Sequence, residues 1–248
     1  QVNYSQNFEV DFNGDSWSLY KDLRNINPAP YSAYFKFKDN VILSSSPERF
    51  ISVKDNTVET KPIKGTLKRL NDTAQDNKQK YILQNDEKNL SENLMIVDLL
   101  RNDLSKCCDL NTVKVEKLFD IESYASVHHM VSTIKGKLNQ KTKSIDMLEA
   151  CFPGGSITGA PKKRAMQIIN ELEKRPRGVY CGSIGYLDKN NNMDTNICIR
   201  TIMISDGKLD FAAGGGIVYD SNPEDEYIES LEKVSIFLNF FSKGSFTW

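Results

Sequence analysis

The chain has 248 residues, 39% of them hydrophobic and 26% charged, with a net charge of −1. That length allows one large domain or two small ones with a core that needs no disulfide or metal. The near-zero charge gives no electrostatic reason to expect nucleic acid or an anionic membrane as partner. Five cysteines with no C-x-x-C spacing argue against a disulfide framework and structural zinc, and fit a reducing, cytoplasmic compartment.

The sequence opens on Gln1 with no charged-then-apolar leader, and its apolar runs are too short to span a bilayer. It reads as part of a longer polypeptide, with a domain over 1–242 and a tail over 243–248. Residues 1–12 alternate weakly as a strand, and 17–25 carry a short helical pattern ended by Asn27-Pro28 and Pro30. Residues 31–38 alternate, with Tyr31, Ala33, Phe35 and Phe37 on one face. Turn signals at Asp39-Asn40 and Asp55-Asn56 predict hairpins joining strands over 41–45, 50–53 and 57–61. Consecutive hairpins mean antiparallel sheet and an α+β fold rather than a doubly wound parallel one.

Residues 72–104 turn helical, charged at first; from 90 on, Leu90, Leu94, Val97, Leu100 and Leu104 share one face, with Glu92, Met95, Leu99 and Asn102 beside it. Strands are predicted over 113–118 and 124–137, and helices over 144–151 and 162–173. Further strands are predicted over 179–187, 195–204 and 208–212, broken by Ala213-Gly214-Gly215-Gly216, before a last helix over 223–241.

The central stretch is Lys61-Pro62-Ile63-Lys64-Gly65-Thr66. Proline fixes φ, and glycine permits a turn or a close approach. A lysine desolvated between them is a candidate nucleophile; the alternative is a solvated lysine beside a turn. Gly154-Gly155-Ser156-Ile157-Thr158-Gly159 precedes a helix and could hold an anion. Ala160-Pro161 replaces the Lys-Ser/Thr of a phosphate-binding loop, so a nucleotide-binding module is a weak reading. Gly214, Gly215 and Gly216 could turn their N–H groups on a carboxylate or simply form a tight bend. Glu226, Glu229 and Lys233 share a helix face. Glu92 and Glu229, if brought together, have the hard oxygen chemistry that Mg²⁺ prefers. The chain's two histidines, His128 and His129, are neighbours on a strand and point to opposite faces. Glu48, at a strand entrance, is a candidate general acid or base.

Ser46-Pro47-Glu48-Arg49-Phe50, Pro62-Ile63-Lys64-Gly65-Thr66, Glu92 to Leu104, Val127 to Ser132, Phe152 to Lys162, Cys181 to Tyr186, Ile199-Arg200-Thr201 and Ala213 to Val218 together resemble the chorismate-binding domain of the chorismate-utilising enzymes. These include anthranilate synthase, aminodeoxychorismate synthase, isochorismate synthase and salicylate synthase. Lysine at position 64, where the anthranilate branch carries alanine, resembles the branch that aminates chorismate at C4. The resemblance implies antiparallel sheets packed together with flanking helices, the N-terminal part of the fold being missing here. It implies Mg²⁺ held by Glu92 and Glu229, with Lys64, Glu48 and His129 catalytic. It assigns substrate contacts to Gln1, Gly65, Thr66, Thr158, Tyr186, Arg200, Gly214, Gly215, Gly216 and Lys233. The implied reaction takes chorismate and ammonia to 4-amino-4-deoxychorismate, for 4-aminobenzoate and folate biosynthesis, through a Lys64-linked intermediate. The alternative is amination at C2 with loss of pyruvate. Both histidines lie in one dipeptide, leaving no cysteine–histidine pair of a glutaminase, so ammonia is expected from a separate glutamine amidotransferase subunit.

Overall fold

The computed structural model describes residues 1–243, so the expected tail lies, from residue 244 on, outside the described residues. In chain order the elements are β1 (Val2–Asp11), α1 (Ser16–Ile26), β2 (Tyr31–Phe37), β3 (Asn40–Ser46), β4 (Arg49–Lys54), β5 (Thr57–Thr60) and β6 (Ile63–Lys68). Helices α2 (Thr73–Gln84) and α3 (Glu87–Ser105), strands β7 (Lys114–Ser123) and β8 (Val127–Lys137), and helix α4 (Ser144–Cys151) follow. A 3-10 turn (Gly155–Ile157), α5 (Lys162–Leu172), β9 (Gly185–Leu187), β10 (Met193–Asn196), β11 (Thr201–Ser205), β12 (Lys208–Ile217) and α6 (Pro223–Lys243) complete them. They fall into two units: residues 1–48, 156–184 and 196 onward, and residues 49–155 and 185–195.

The first unit holds an antiparallel sheet in the order β1-β12-β11-β3-β2. Leu19, Tyr20 and Leu23 of α1 and Val234, Phe237 and Phe241 of α6 pack with Leu43, Ile202, Leu209 and Phe211 from the sheet in one buried cluster. The i, i+1, i+4 spacing on α1 and i, i+3, i+7 on α6 put these side chains on one stripe of each helix. Asp15 caps α1 by accepting a hydrogen bond from the Ser18 N–H at 2.8 Å.

In the second unit β8 is the central strand. β7 pairs along one edge of it, and β5 and β6 pair in succession along the other. β4, β10 and β9 extend the sheet beyond β5. The observed class is α+β, antiparallel sheets with flanking helices, as expected.

Three expectations are corrected. The strand expected over 179–187 shrinks to β9, because Cys181 is left-handed (φ 64°) and the Gly182 N–H closes a turn on the Val179 carbonyl. The strand expected over 195–204 is two strands in different sheets, β10 and β11, parted at Arg200 (φ 49°). The glycines at 214–216 do not break their strand: β12 runs on to Ile217, with Gly214, Gly215 and Gly216 opposite Ser5, Tyr4 and Asn3 of β1. A Cβ on Gly214 would lie 2.2 Å from the Tyr4 carbonyl oxygen, so this glycine serves close approach rather than a bend.

On α3 the buried stripe is Asn93, Ile96, Val97, Leu100, Asp103 and Leu104, while Leu94 is 47% exposed. The stripe takes in two polar residues that each have a partner for an oxygen, although among the described residues the Asn93 Nδ2 is buried without one. The Asn93 Oδ1 accepts from the Ser132 hydroxyl on β8 at 2.6 Å, and Asp103 pairs with Lys106 at 2.7 Å. All five cysteines are reduced and buried. Burial pushes the Cys108, Cys181 and Cys198 thiols up to about 12, which leaves them inert as nucleophiles. Among the described residues no helix is long and apolar enough to cross a membrane.

Candidate active site

Each unit carries its own group of the expected residues. In the second unit, Lys64 lies on β6 with its Nζ 3.0 Å from Glu92 Oε2 on α3, and both side chains are mostly buried (14% and 13% exposed). A solvated lysine beside a turn is therefore excluded. The ammonium is partly desolvated, as expected, and has a defined carboxylate partner. Gly65 adopts φ +78° and interrupts the β6–β8 ladder with a bulge. The bulge shifts the register by one residue, so Thr66 stands opposite His129 rather than His128. The Thr66 hydroxyl then lies 2.8 Å from His129 Nδ1. Strand β6 thus makes two separate contacts, Lys64 with Glu92 of α3 and, past the bulge at Gly65, Thr66 with His129 of β8.

His128, on the other face, is fully buried with Nε2 2.9 Å from Asp76 Oδ1 on α2 and Nδ1 2.8 Å from the Ser123 hydroxyl. Asp76 also accepts from the Leu70 N–H and from Arg69. The Leu70 N–H, then Arg69 and His128, hold its carboxyl well below the usual carboxylate range against the opposing effect of burial. With Asp76 ionised and able only to accept, Nε2 carries the shared proton. A carboxylate held low in the folded state adds stability that is complete above the unfolded value, about pH 4, and is lost as pH falls through the folded one. We expect acid unfolding of the wild type to steepen below about pH 4 and Asp76→Asn to be less stable at neutral pH but flatter across that window. Thermal melts between pH 2 and 7 check this.

In the first unit, Lys233 on α6 donates to the Gly214 carbonyl at 2.9 Å and pairs with Glu229 at 2.8 Å. A Cβ on Gly215 would lie 3.2 Å from Glu226 Oε2, 3.6 Å from Lys233 Nζ and 4.0 Å from Glu229 Oε1. Two acids and a lysine one helical turn apart therefore converge on a strand position with no side chain. The Gln1 amide lies over Gly216, where a Cβ would meet its Nε2 at 2.0 Å. The loop at Thr158, Gly159 and Ala160 bonds back to the start of β1: the Asn3 N–H donates to the Thr158 carbonyl at 2.8 Å and the Ala160 N–H to the Gln1 carbonyl at 3.1 Å. Glu48 is 6% exposed and accepts from the Ser156 hydroxyl at 3.0 Å. Among the described residues no carboxylate pairs with Arg200, and burial draws its guanidinium below its ordinary value. An uncompensated, mostly buried cation is costly unless an anion arrives to meet it.

Tyr186 does not join the Lys64 group. It is 65% exposed on β9, three strand steps beyond β5 and hence at least roughly 14 Å across the sheet. There it lines an open cavity of about 670 Å³ with Arg49, Glu59, Lys135 and Asp194. Nor does the glycine-rich loop lead its N–H groups into a helix: a 3-10 turn and Ala160-Pro161 intervene before α5 begins at Lys162. Glu226 joins Glu229 and Lys233 as their i, i+3 and i+7 spacing indicates. Residues missed from the sequence are Ser156, Glu122 and Tyr124, and only strand register reveals the last two.

Among the described residues no three metal-ligating side chains cluster, so no all-protein metal cage is built here. Magnesium commonly takes one or two carboxylates and completes its shell with water and substrate oxygen. Glu92 in the second unit, and Glu226 and Glu229 in the first, are each hard oxygen donors whose chemistry suits Mg²⁺.

Comparison with known proteins gives a consistent answer. The family described as chorismate binding enzyme matches residues 1–239. The chain is 51% identical over 239 residues to aminodeoxychorismate synthase component 1 of Salmonella typhimurium, covering 96% of this chain and 53% of that protein. It is 45% identical over 234 residues to anthranilate synthase component 1 of Saccharolobus solfataricus, covering 94% and 56%. The crystal structure of anthranilate synthase component I from Streptococcus pneumoniae TIGR4 superposes with a TM-score of 0.85 at 38% identity, covering 94% of this chain and 51% of that one. The chain spans about half the length of these relatives. It belongs to the chorismate binding enzyme family.

Proposed function

We propose that the protein of which this chain is part aminates chorismate at C4, giving 4-amino-4-deoxychorismate. The observation that carries the reading is Lys64, a mostly buried lysine held 3.0 Å from Glu92 and on the same short strand as Thr66, whose hydroxyl meets His129. Similarity to aminodeoxychorismate synthase component 1 proteins supports it. In this reading the Lys64 amine attacks C2 of the ring, both ring double bonds shift by one position, and the C4 hydroxyl leaves as water with a proton from Glu48. Ammonia then adds at C4, both double bonds shift back, and Lys64 leaves with its electron pair restored while Glu48 takes up a proton. One difficult substitution becomes two easier ones. Arg200 and the Gly214–Gly216 edge, with Lys233 beside it, receive one substrate carboxylate, and His129 orients the ring substituents. Glu92 and Glu229 are the proposed magnesium ligands, and the ion when bound neutralises the second carboxylate. Ammonia is proposed to come from a separate glutamine amidotransferase subunit.

The test is product analysis of the full-length protein with chorismate, ammonia and Mg²⁺. The proposal expects 4-aminobenzoate only after an added lyase. Anthranilate appearing without the lyase would favour the second reading, amination at C2, which the 45% identical anthranilate synthase relative supports.

A further inference from the structure

His129 stands in a row across three strands. Its cross-strand partner on β6 is Thr66, and its partner on β7 is Glu122. Such partners share a face, with Cβ atoms about 5 Å apart. Glu122 does not use its carboxylate on the histidine. One oxygen takes the Lys61 ammonium at 2.5 Å and the other accepts from the Tyr124 hydroxyl at 2.8 Å. The Tyr124 ring in turn meets the His129 imidazole edge-on, centroids 5.4 Å apart and planes at 60°. The Tyr124 N–H also donates to the Val127 carbonyl at 2.8 Å, which ties this tyrosine to the start of β8.

We propose that Tyr124, braced by Glu122 and Lys61, is a positioning residue that holds the ring plane of His129; the inference deepens the function proposed above and rests on it. An imidazole rotates about a soft, roughly two-fold χ2 torsion, so a flip exchanges a nitrogen for a carbon at the reacting position. Thr66 fixes which edge carries Nδ1, and the Tyr124 ring closes off the rotation. A tyrosine could swing away, but its hydroxyl is tethered to a carboxylate that is itself held at both oxygens. Burial alone would raise the Glu122 carboxyl, yet Lys61 and Tyr124 hold it below its usual range, so it stays an ionised acceptor. The brace is anchored on Lys61, three residues before Lys64 on the same segment. The candidate nucleophile and the support for His129 are therefore set by one stretch of chain.

The chain has two histidines, so imidazole nitrogen NMR of ¹⁵N-histidine-labelled full chain reads each directly, with His128 as an internal control for folding. Tyr124→Phe keeps the ring and removes the tether. It should shift or broaden the His129 signals, leave those of His128 in place, and lower kcat about tenfold with KM for chorismate within about twofold. Glu122→Ala should reproduce this, while Glu122→Gln, which still offers an oxygen to the Tyr124 hydroxyl, should recover most of the rate. Unchanged His129 signals in both Tyr124→Phe and Glu122→Ala would overturn the proposal, as would a fall in kcat with no change at His129 or a change at His129 with no fall in kcat. A wild type that does not turn over chorismate would overturn the function proposed above instead; the imidazole spectra would then decide the positioning role alone.

Discussion

Lys64→Ala should abolish amination at C4 and leave a folded protein. The side chain is 14% exposed and its Nζ is 3.0 Å from Glu92, so the substitution leaves a mostly buried carboxylate without that partner, at a cost of about 1–3 kcal/mol. That cost is within what a domain of this size tolerates. The loss of turnover should be on the order of a thousandfold or more, because the allylic route has no nucleophile left. The two effects separate cleanly: a melting curve reads the first and product formation at a temperature well below the melt reads the second. The smaller side chain leaves ammonia free to attack C2, and traces of anthranilate are expected where 4-amino-4-deoxychorismate disappears. Turnover reduced only in proportion to the unfolded fraction would reduce Lys64 to a structural partner of Glu92.

Glu92→Gln has the second largest expected effect, since two roles meet on one carboxylate. If Glu92 only pairs with Lys64, the amide should lower stability and leave affinity for Mg²⁺ unchanged. If it is also a magnesium ligand, Mg²⁺ affinity should fall by at least about tenfold, and activity with it. Glu229→Gln supplies the comparison. Glu229 is 45% exposed and paired with a lysine that is itself 40% exposed, so its loss should cost little stability while weakening Mg²⁺ to the same degree. Calorimetric titration of Mg²⁺ into the wild type and both variants measures this without turnover. Equal affinity in all three would remove both residues as ligands.

How far the sequence led depended on whether a feature is local. Helix α4 was predicted over 144–151 and is observed as Ser144–Cys151, and the hairpins from β2 to β5 stand where Asp39-Asn40 and Asp55-Asn56 put them. The grouping of Glu226, Glu229 and Lys233 also follows from helical spacing alone. What failed to show was set by pairing between distant segments. The Thr66–His129 contact exists because a bulge at Gly65 moves the register by one residue, and a glycine in a strand pattern does not announce which way the register goes. The Glu122–His129 pairing needs the register of β7 on β8. The Gly214–Gly216 run looked like a breaker because glycine is poor in strands, but the nearness of Tyr4 and Glu226 demands it there. That Tyr186 stands three strand steps beyond β5 is likewise visible only in the strand order. On α3 the hydrophobic stripe missed Asn93 and Asp103 because their burial depends on partners outside their own helix or one turn beyond them.

The account turns on a covalent bond from Lys64 to the substrate, and peptide mass spectrometry reads that bond directly. Full-length protein is mixed with chorismate and Mg²⁺ in the absence of ammonia, quenched in acid and digested. The account predicts that the peptide carrying Lys64 gains the mass of chorismate less one water, with fragmentation placing the addition on Lys64, and that adding ammonia before the quench removes it. An unmodified Lys64 in protein that converts chorismate once ammonia is supplied would contradict it.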